Sequence, residues 1–384
     1  MRVCIVSSSF YPAIAYGGPI SATWGLSKKL AENGLNIYVS TTNANGSEKL
    51  DVEFNKYLKR SKLYIKYYNE EIINKFSLSF IFGIYKDIKD SDIVYIQYVF
   101  HYTSLVSFFV SLLSNKKIII CPRGSFSRFT LINKYSRIKN LWLNFFFKPF
   151  LNRIYWHASS YLEKNDIKAF FPFSNVYVVN DGIDVNSFQS SDKLSRNEIL
   201  NRYTGKSYDR ISEIFFSLGR LHEIKGFDII ISAFDLYLKK DVDAKLIIAG
   251  GDNGVLNDLL KMIKKLGIEN SVFLIGPINF NEKKILLNNC DFFVLASHFE
   301  SFGIVVAEAL ACGLPVIVSN KTPWKDIEIN HCGIFVENDN LSLLNAFMKV
   351  KRLKFKKHNI KRYVREKYDW KVISLKFINF IKSY

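Results

Sequence analysis

The sequence predicts an α/β protein built from two doubly wound domains. Three observations predict it. Short apolar, β-branched runs alternate with stretches of helical spacing, the pattern of a parallel sheet with helices on its faces. The alternation starts afresh near residue 176. The 384-residue length suits two domains, each able to bury its own core.

The elements follow in order. "RVCIVSSSF" opens the chain as a buried strand. A loop with Gly17, Gly18 and Pro19 leads into the helical "ISATWGLSKKLAENG", which stops at Gly34. Strands follow at 36–41, 92–97 and 117–122, with a helix at 103–114. In the second half, strands are expected at 214–219, 244–251, 271–276, 291–297 and 315–319, and helices at 226–240, 255–266, 281–289 and 303–313. The domains are accordingly 1–180 and 181–368. A last amphipathic helix, 369–384, carries Trp370, Ile373, Phe377, Phe380 and Ile381 on one side.

The net charge is +18, unevenly placed. No Asp or Glu occurs between Asp92 and Glu163, whereas nine Lys/Arg do, interleaved with aromatics in "KYSRIKNLWLNFFFKPFLNR". Such a segment attracts polyanions, and its rings suit a bilayer interface as well as a protein core. Residues 93–115 lack charge, but Gln97, His101 and several serines make strand plus helix a better account than a membrane span. The N-terminus lacks a signal-peptide pattern, so a cytoplasmic protein is expected. Five cysteines without CxxC spacing read as reduced, buried thiols, and no His/Cys/Asp cluster has metal-ligand spacing.

Parallel sheets bind ligands beyond the C-terminal ends of their strands. Two such places carry chemistry. In "SLGRLHEIKGFD" (217–228), Arg220 and Lys225 lie past a strand and before a helix, where two cations can hold a diphosphate. In "HFESFGIVVAEALACGLPV" (298–316), Glu300 and Glu308 stand eight residues apart. The backbone at Ser301, Phe302, Gly303 and Ile304 opens a helix there, and a helix N-terminus favours anions. Taken singly, ordinary surface cations and solvated glutamates explain each block as well.

Taken together and in order, these blocks resemble the donor half of the retaining glycosyltransferases of family 4 (group 1). "AYGGP" (15–19), "CPRG" (121–124), "HASSYLE" (157–163), "NDGID" (180–184) and "TPWKDI" (322–327) extend the resemblance over nearly the whole chain. It implies the GT-B fold: two Rossmann-like domains facing a central cleft, with the C-terminal helix crossing back to the N-terminal domain. It implies a nucleotide-diphosphate-sugar donor held by Arg220, Lys225 and Gly219. Glu308 would then take the ribose, Glu300 would lie by the transferred sugar, and Ser301 to Ile304 would meet phosphate and sugar. Gly17 and Gly18 would approach the donor phosphates from the other wall. Neither a metal nor a cofactor is expected, because Arg and Lys neutralise the leaving phosphate.

His101 and Arg123 are the acceptor-side candidates. The alternatives are a structural histidine and an Arg paired with a local carboxylate. His157 and Glu163 read as structural. The expected partners are a saccharide acceptor, prenyl-diphosphate-linked in surface polysaccharide assembly, and an anionic membrane surface; no nucleic acid is expected. A sugar-nucleotide epimerase of the same fold and a non-catalytic polyanion binder are the competing classes.

Overall fold

A computed structural model describes the chain except for residues 72–75, 133–135, 190–192, 241 and 384. It comprises two compact units. The first is Met1–Gly182 with Trp370–Tyr384, and the second is Ile183–Asp369.

The first unit is built on an eight-stranded sheet. From one edge, its strands are Asn175–Val178, Ile154–Ala158, Lys117–Cys121, Ile93–Gln97, Arg2–Val6, Asn36–Thr42, Leu63–Tyr68 and Tyr57–Arg60. All neighbours pair in parallel except the last two. Ile93–Gln97 is buried along its whole length, as a central strand covered on both faces must be. The chain runs from Arg2–Val6 outward to one side, then returns to the other side at Ile93–Gln97. The sheet therefore has its switch point between these two strands.

The sequence pattern assigned no element to residues 57–68, which form an antiparallel hairpin. Lys66 disguises the second strand. Its ammonium is buried and lies 2.9 Å from Asp87 Oδ1, while Ser40 and the Tyr68 hydroxyl donate to Asp87 Oδ2. Sequence pattern also missed the helices Leu78–Lys89, Tyr161–Phe170, Asn340–Val350 and Lys357–Tyr368.

The C-terminal helix, Trp370–Lys382, belongs to this unit and packs on the helix Gly18–Glu32. Trp370, Ile373, Phe377, Phe380 and Ile381 join the core that holds Val3, Ile5 and Val39. The Trp370 indole fills the space where a Cβ would stand on Gly25 (2.3 Å) or Gly182 (2.5 Å). Neither position tolerates a side chain while the indole is there.

The second unit has a six-stranded, all-parallel sheet in the order Val272–Leu274, Lys245–Ala249, Ile214–Leu218, Phe292–Leu295, Val316–Ser319 and Gly333–Val336. Its switch point lies between Ile214–Leu218 and Phe292–Leu295. Apolar side chains fill both faces, including Phe216, Ile247 and Phe293 on one side and Phe215, Ile248 and Val294 on the other. The five cysteines of the chain are buried and unbonded to one another.

Candidate active site

The two loops that flank the switch point of the second sheet are those carrying the predicted charges. The first runs from Gly219 through Arg220 and the short 3-10 turn Glu223–Lys225 to the helix Phe227–Leu238. It is fastened on both sides. Leu221 N–H donates to Gly251 O (2.9 Å), and Ile224 O accepts from His298 N–H (2.8 Å). Gly226 sits at φ 62°, in the left-handed region, and a Cβ there would stand 2.1 Å from Ala296 O. Only glycine lets the two loops come this close.

Within this frame Lys225 Nζ lies 2.5 Å from Glu300 Oε1, which also accepts from the Ser297 hydroxyl at 2.8 Å. Both members of the pair are largely buried. Arg220 is exposed and reaches Asn253 Oδ1 at 3.5 Å, a neutral partner. Asp252, beside it, accepts from the N–H groups of Gly254 (2.9 Å) and Leu256 (3.2 Å). Those backbone donors hold its carboxyl below the ordinary range. Asp252 shapes its loop.

The second loop ends at Gly303, φ 80°, which caps the helix Ile304–Ala311. Phe302 O accepts from Trp324 Nε1 at 2.6 Å, and the Phe302 ring packs against Trp324 and Tyr368. Ser301 lies between Glu300 and this anchor. The first N–H groups of the helix, at Ile304 and Val305, have no acceptor within it. One turn on, Glu308 is buried, and its Oε1 accepts from Lys283 Nζ at 2.6 Å. Its Oε2 is sealed from solvent without a hydrogen-bond partner. The structure thus brings Gly219, Arg220, Lys225, Glu300, Ser301, Phe302, Gly303, Ile304 and Glu308 to the loops and helix at one switch point. Sequence reasoning missed Lys283, Asn253 and Trp324. Only Trp324 left a signal, in the block "TPWKDI".

In the first unit, Gly17 is the N-cap of the helix that begins at Gly18, in the loop after the strand Arg2–Val6. Its φ of 70° demands glycine, although the space beside it is open. His101 caps the helix Tyr102–Leu113, with its ring edge-on to Tyr98. Arg123 is buried. Its Nη1 donates to both oxygens of Asp181 (2.6 and 2.8 Å), and its Nε donates to Gln97 Oε1 (3.0 Å). Burial is the largest single influence and would lower its pKa, but the Asp181 charge and hydrogen bonds, with Cys121 and Tyr95 nearby, together outweigh it and hold the guanidinium well above its ordinary value. Arg123 Nη2 and Gln97 Nε2 are buried donors with no hydrogen-bond partner.

His157 and Glu163 brace this region. Val179 O can only accept, so His157 Nε2 carries the proton and donates to it at 2.7 Å. His157 Nδ1 then accepts from the Tyr95 hydroxyl at 2.7 Å. Burial, then the nearby Arg123 charge, pushes this imidazole down to about 4. Glu163 accepts from the N–H groups of Gly124 (2.6 Å) and Ser159 (2.7 Å), tying the "CPRG" loop to the following strand end. Among the described residues, no group of three or more His, Cys, Asp or Glu stands together as metal ligands would.

The chain is similar to known proteins in sequence and in fold. Residues 209–367 match the family described as glycosyl transferases group 1. The chain is 29% identical over 228 residues to an uncharacterized glycosyltransferase of Methanocaldococcus jannaschii, covering 57% of each chain. It is 37% identical over 131 residues to N-acetylgalactosamine-N,N'-diacetylbacillosaminyl-diphospho-undecaprenol 4-alpha-N-acetylgalactosaminyltransferase of Campylobacter jejuni, covering 33% of this chain and 34% of that one. The chain thus spans between a third and somewhat over half the length of these relatives. Among solved structures, HepE of Anabaena in complex with UDP-glucose superposes with a TM-score of 0.72 at 18% identity, covering 100% of both chains. At that identity the likeness shows the fold, which is GT-B.

Proposed function

We propose that the protein moves a sugar from a nucleotide-diphosphate-sugar to a saccharide acceptor, with retention at the anomeric carbon. The observation that carries this reading is the convergence of Arg220, Lys225, Glu300 and Glu308 on one switch point, at the open N-terminus of a helix. Anionic ligands bind at such a helix end, and cations there stabilise the charge that develops as a diphosphate leaves. Arg220 supplies a forked donor and Lys225 a point charge, which leaves no need for a metal or other cofactor. When the diphosphate takes Lys225, Glu300 is released to accept from a hydroxyl of the sugar. The bond from the anomeric carbon to the phosphate oxygen breaks and the acceptor oxygen bonds from the same face. The acceptor proton passes to the departing phosphate, and a nucleoside diphosphate is released. HepE, solved with UDP-glucose, supports a sugar nucleotide as donor.

On the acceptor side, the unpartnered donors of Arg123 and Gln97 suit phosphate or hydroxyl oxygens, with His101 on the helix after the same strand as Gln97. The similarity to the Campylobacter diphospho-undecaprenol glycosyltransferase favours a prenyl-diphosphate-linked acceptor in surface polysaccharide biosynthesis, whether O-antigen, capsule or exopolysaccharide. Work on such an acceptor places the enzyme in the cytoplasm, at the inner face of the plasma membrane. Among the described residues, no helix is long and apolar enough to cross a membrane. An exposed stripe offers peripheral contact instead. Ile138, Leu141 and Phe145 project at helical spacing, beside the exposed Arg137 and Lys148. Four other aromatics of the segment are spoken for: Phe147 is core, and Trp142, Phe146 and Phe150 pack against it. Lys139 donates to Thr130 O.

The test is a thermal-shift screen with UDP-, GDP- and ADP-sugars, followed by product analysis with the stabilising donor. Arg220→Ala and Lys225→Ala are each expected to lower turnover about 100-fold or more while folding normally. Near wild-type turnover in either variant refutes the assignment.

A further inference from the structure

Lys283 stands beside the donor switch point and contacts Glu308 directly. It lies in the first turn of the helix Phe280–Asn289, whose N-terminus is closed by a reciprocal pair of bonds between Asn279 and Glu282. Glu282 therefore already has its partner, the Asn279 N–H at 2.8 Å. The Lys283 ammonium instead crosses to Glu308 Oε1 at 2.6 Å, in the adjoining helix Ile304–Ala311. Two rings hold it there, with centroids 5.4 Å (Phe188) and 5.5 Å (Phe280) from Nζ. Cation–π contacts of this kind fix an otherwise flexible side chain.

The pair is sheltered, and Glu308 Oε2 has no hydrogen-bond partner although it is buried. A buried carboxylate without a counter-charge is costly, so the pairing lets it stay in place as an acceptor. We infer that Lys283 is a positioning residue of the donor site, which keeps Glu308 an acceptor and fixes its carboxylate for the ribose hydroxyls of a nucleoside diphosphate. A carboxylate oxygen accepts two hydrogen bonds, so Oε1 holds Lys283 and still has room for a ligand hydroxyl. The inference rests on the reading of Glu308 as the ribose acceptor. The competing account is that Lys283 merely clips the two helices together.

Calorimetric titration of the full chain separates these. UDP, GDP and ADP are each compared with their 2′,3′-dideoxy counterparts. The wild-type protein is expected to favour the ribose form of the nucleotide it binds. Lys283→Met is expected to weaken that form about 10- to 100-fold, down to the dideoxy level, because a charge-assisted bond to the hydroxyls is lost. Its affinity for the dideoxy form stays at the wild-type value, and Lys283→Arg keeps most of the preference. Equal weakening of both forms shows a clip and overturns the inference, as does no weakening of either. If the wild-type protein binds a diphosphate but ignores the ribose hydroxyls, the role of Glu308 itself fails. If no diphosphate binds, the donor reading fails with it. Should Lys283→Met not fold, Lys283→Gln, which retains a neutral donor of similar shape, carries the same comparison.

Discussion

Replacing Asp181 with Asn tests how the first unit holds its buried charge. The Arg123 and Asp181 side chains are only 2% and 9% exposed, and two short hydrogen bonds join them. Asp181→Asn preserves shape and one acceptor but removes the counter-charge. Breaking a pair this deep costs about 3–5 kcal/mol, because the remaining ion is desolvated and unpaired. An exposed pair would cost under about 1 kcal/mol. The double variant Arg123→Met/Asp181→Leu leaves no orphan charge, so it is expected to recover most of the loss. Four of the five tryptophans, Trp24, Trp142, Trp156 and Trp370, lie in this unit, so fluorescence-detected urea unfolding follows it. If Asp181→Asn costs less than about 1 kcal/mol and the double variant recovers nothing, solvent screens the pair and the argument from burial is refuted.

Glu308→Ala is expected to weaken donor binding more than turnover, and Glu300→Ala the reverse, since Glu300 is already paired with Lys225, the cation proposed to meet the diphosphate; donor dissociation constants and single-turnover rates measured side by side check the order. His157 titrates near 4 in the folded protein against an ordinary value of 6.5, so it contributes stability above pH 6.5 that is lost as pH falls towards 4. The contribution is about 3 kcal/mol at 1.36 kcal/mol per unit, and urea midpoints at several pH values should show a shallower acid limb for His157→Gln. Replacing Ile138, Leu141 and Phe145 with Ser is expected to abolish co-sedimentation with anionic liposomes while leaving turnover on a soluble acceptor intact. Retention of the wild-type protein in the supernatant with fully anionic vesicles at low salt refutes the membrane contact.

The parts of the site that were legible are those fixed by position along the chain. Arg220 and Lys225 follow one central strand, and Glu300 and Ser301 follow its neighbour across the switch point, so finding the strands placed the charges. Apolar runs such as "AKLIIAGG" and "DFFVLAS" announce such strands directly, because both faces are covered. The hairpin 57–68 escaped for the opposite reason, since a buried Lys66 reads as a solvated position. Partners were illegible wherever they come from afar. Lys283 reaches across 25 residues to Glu308, and Arg123 across 58 to Asp181. On a helix that reads "FNEKKILLNN", nothing distinguishes the lysine that neutralises a buried carboxylate from Lys284, its neighbour. Local spacing tells which backbone approaches a ligand. Which charge silences which other charge depends on how helices pack, and sequence pattern encodes that only as surface polarity. The orienting residues of a site like this one therefore emerge from the fold, after the residues they orient have been read from the chain.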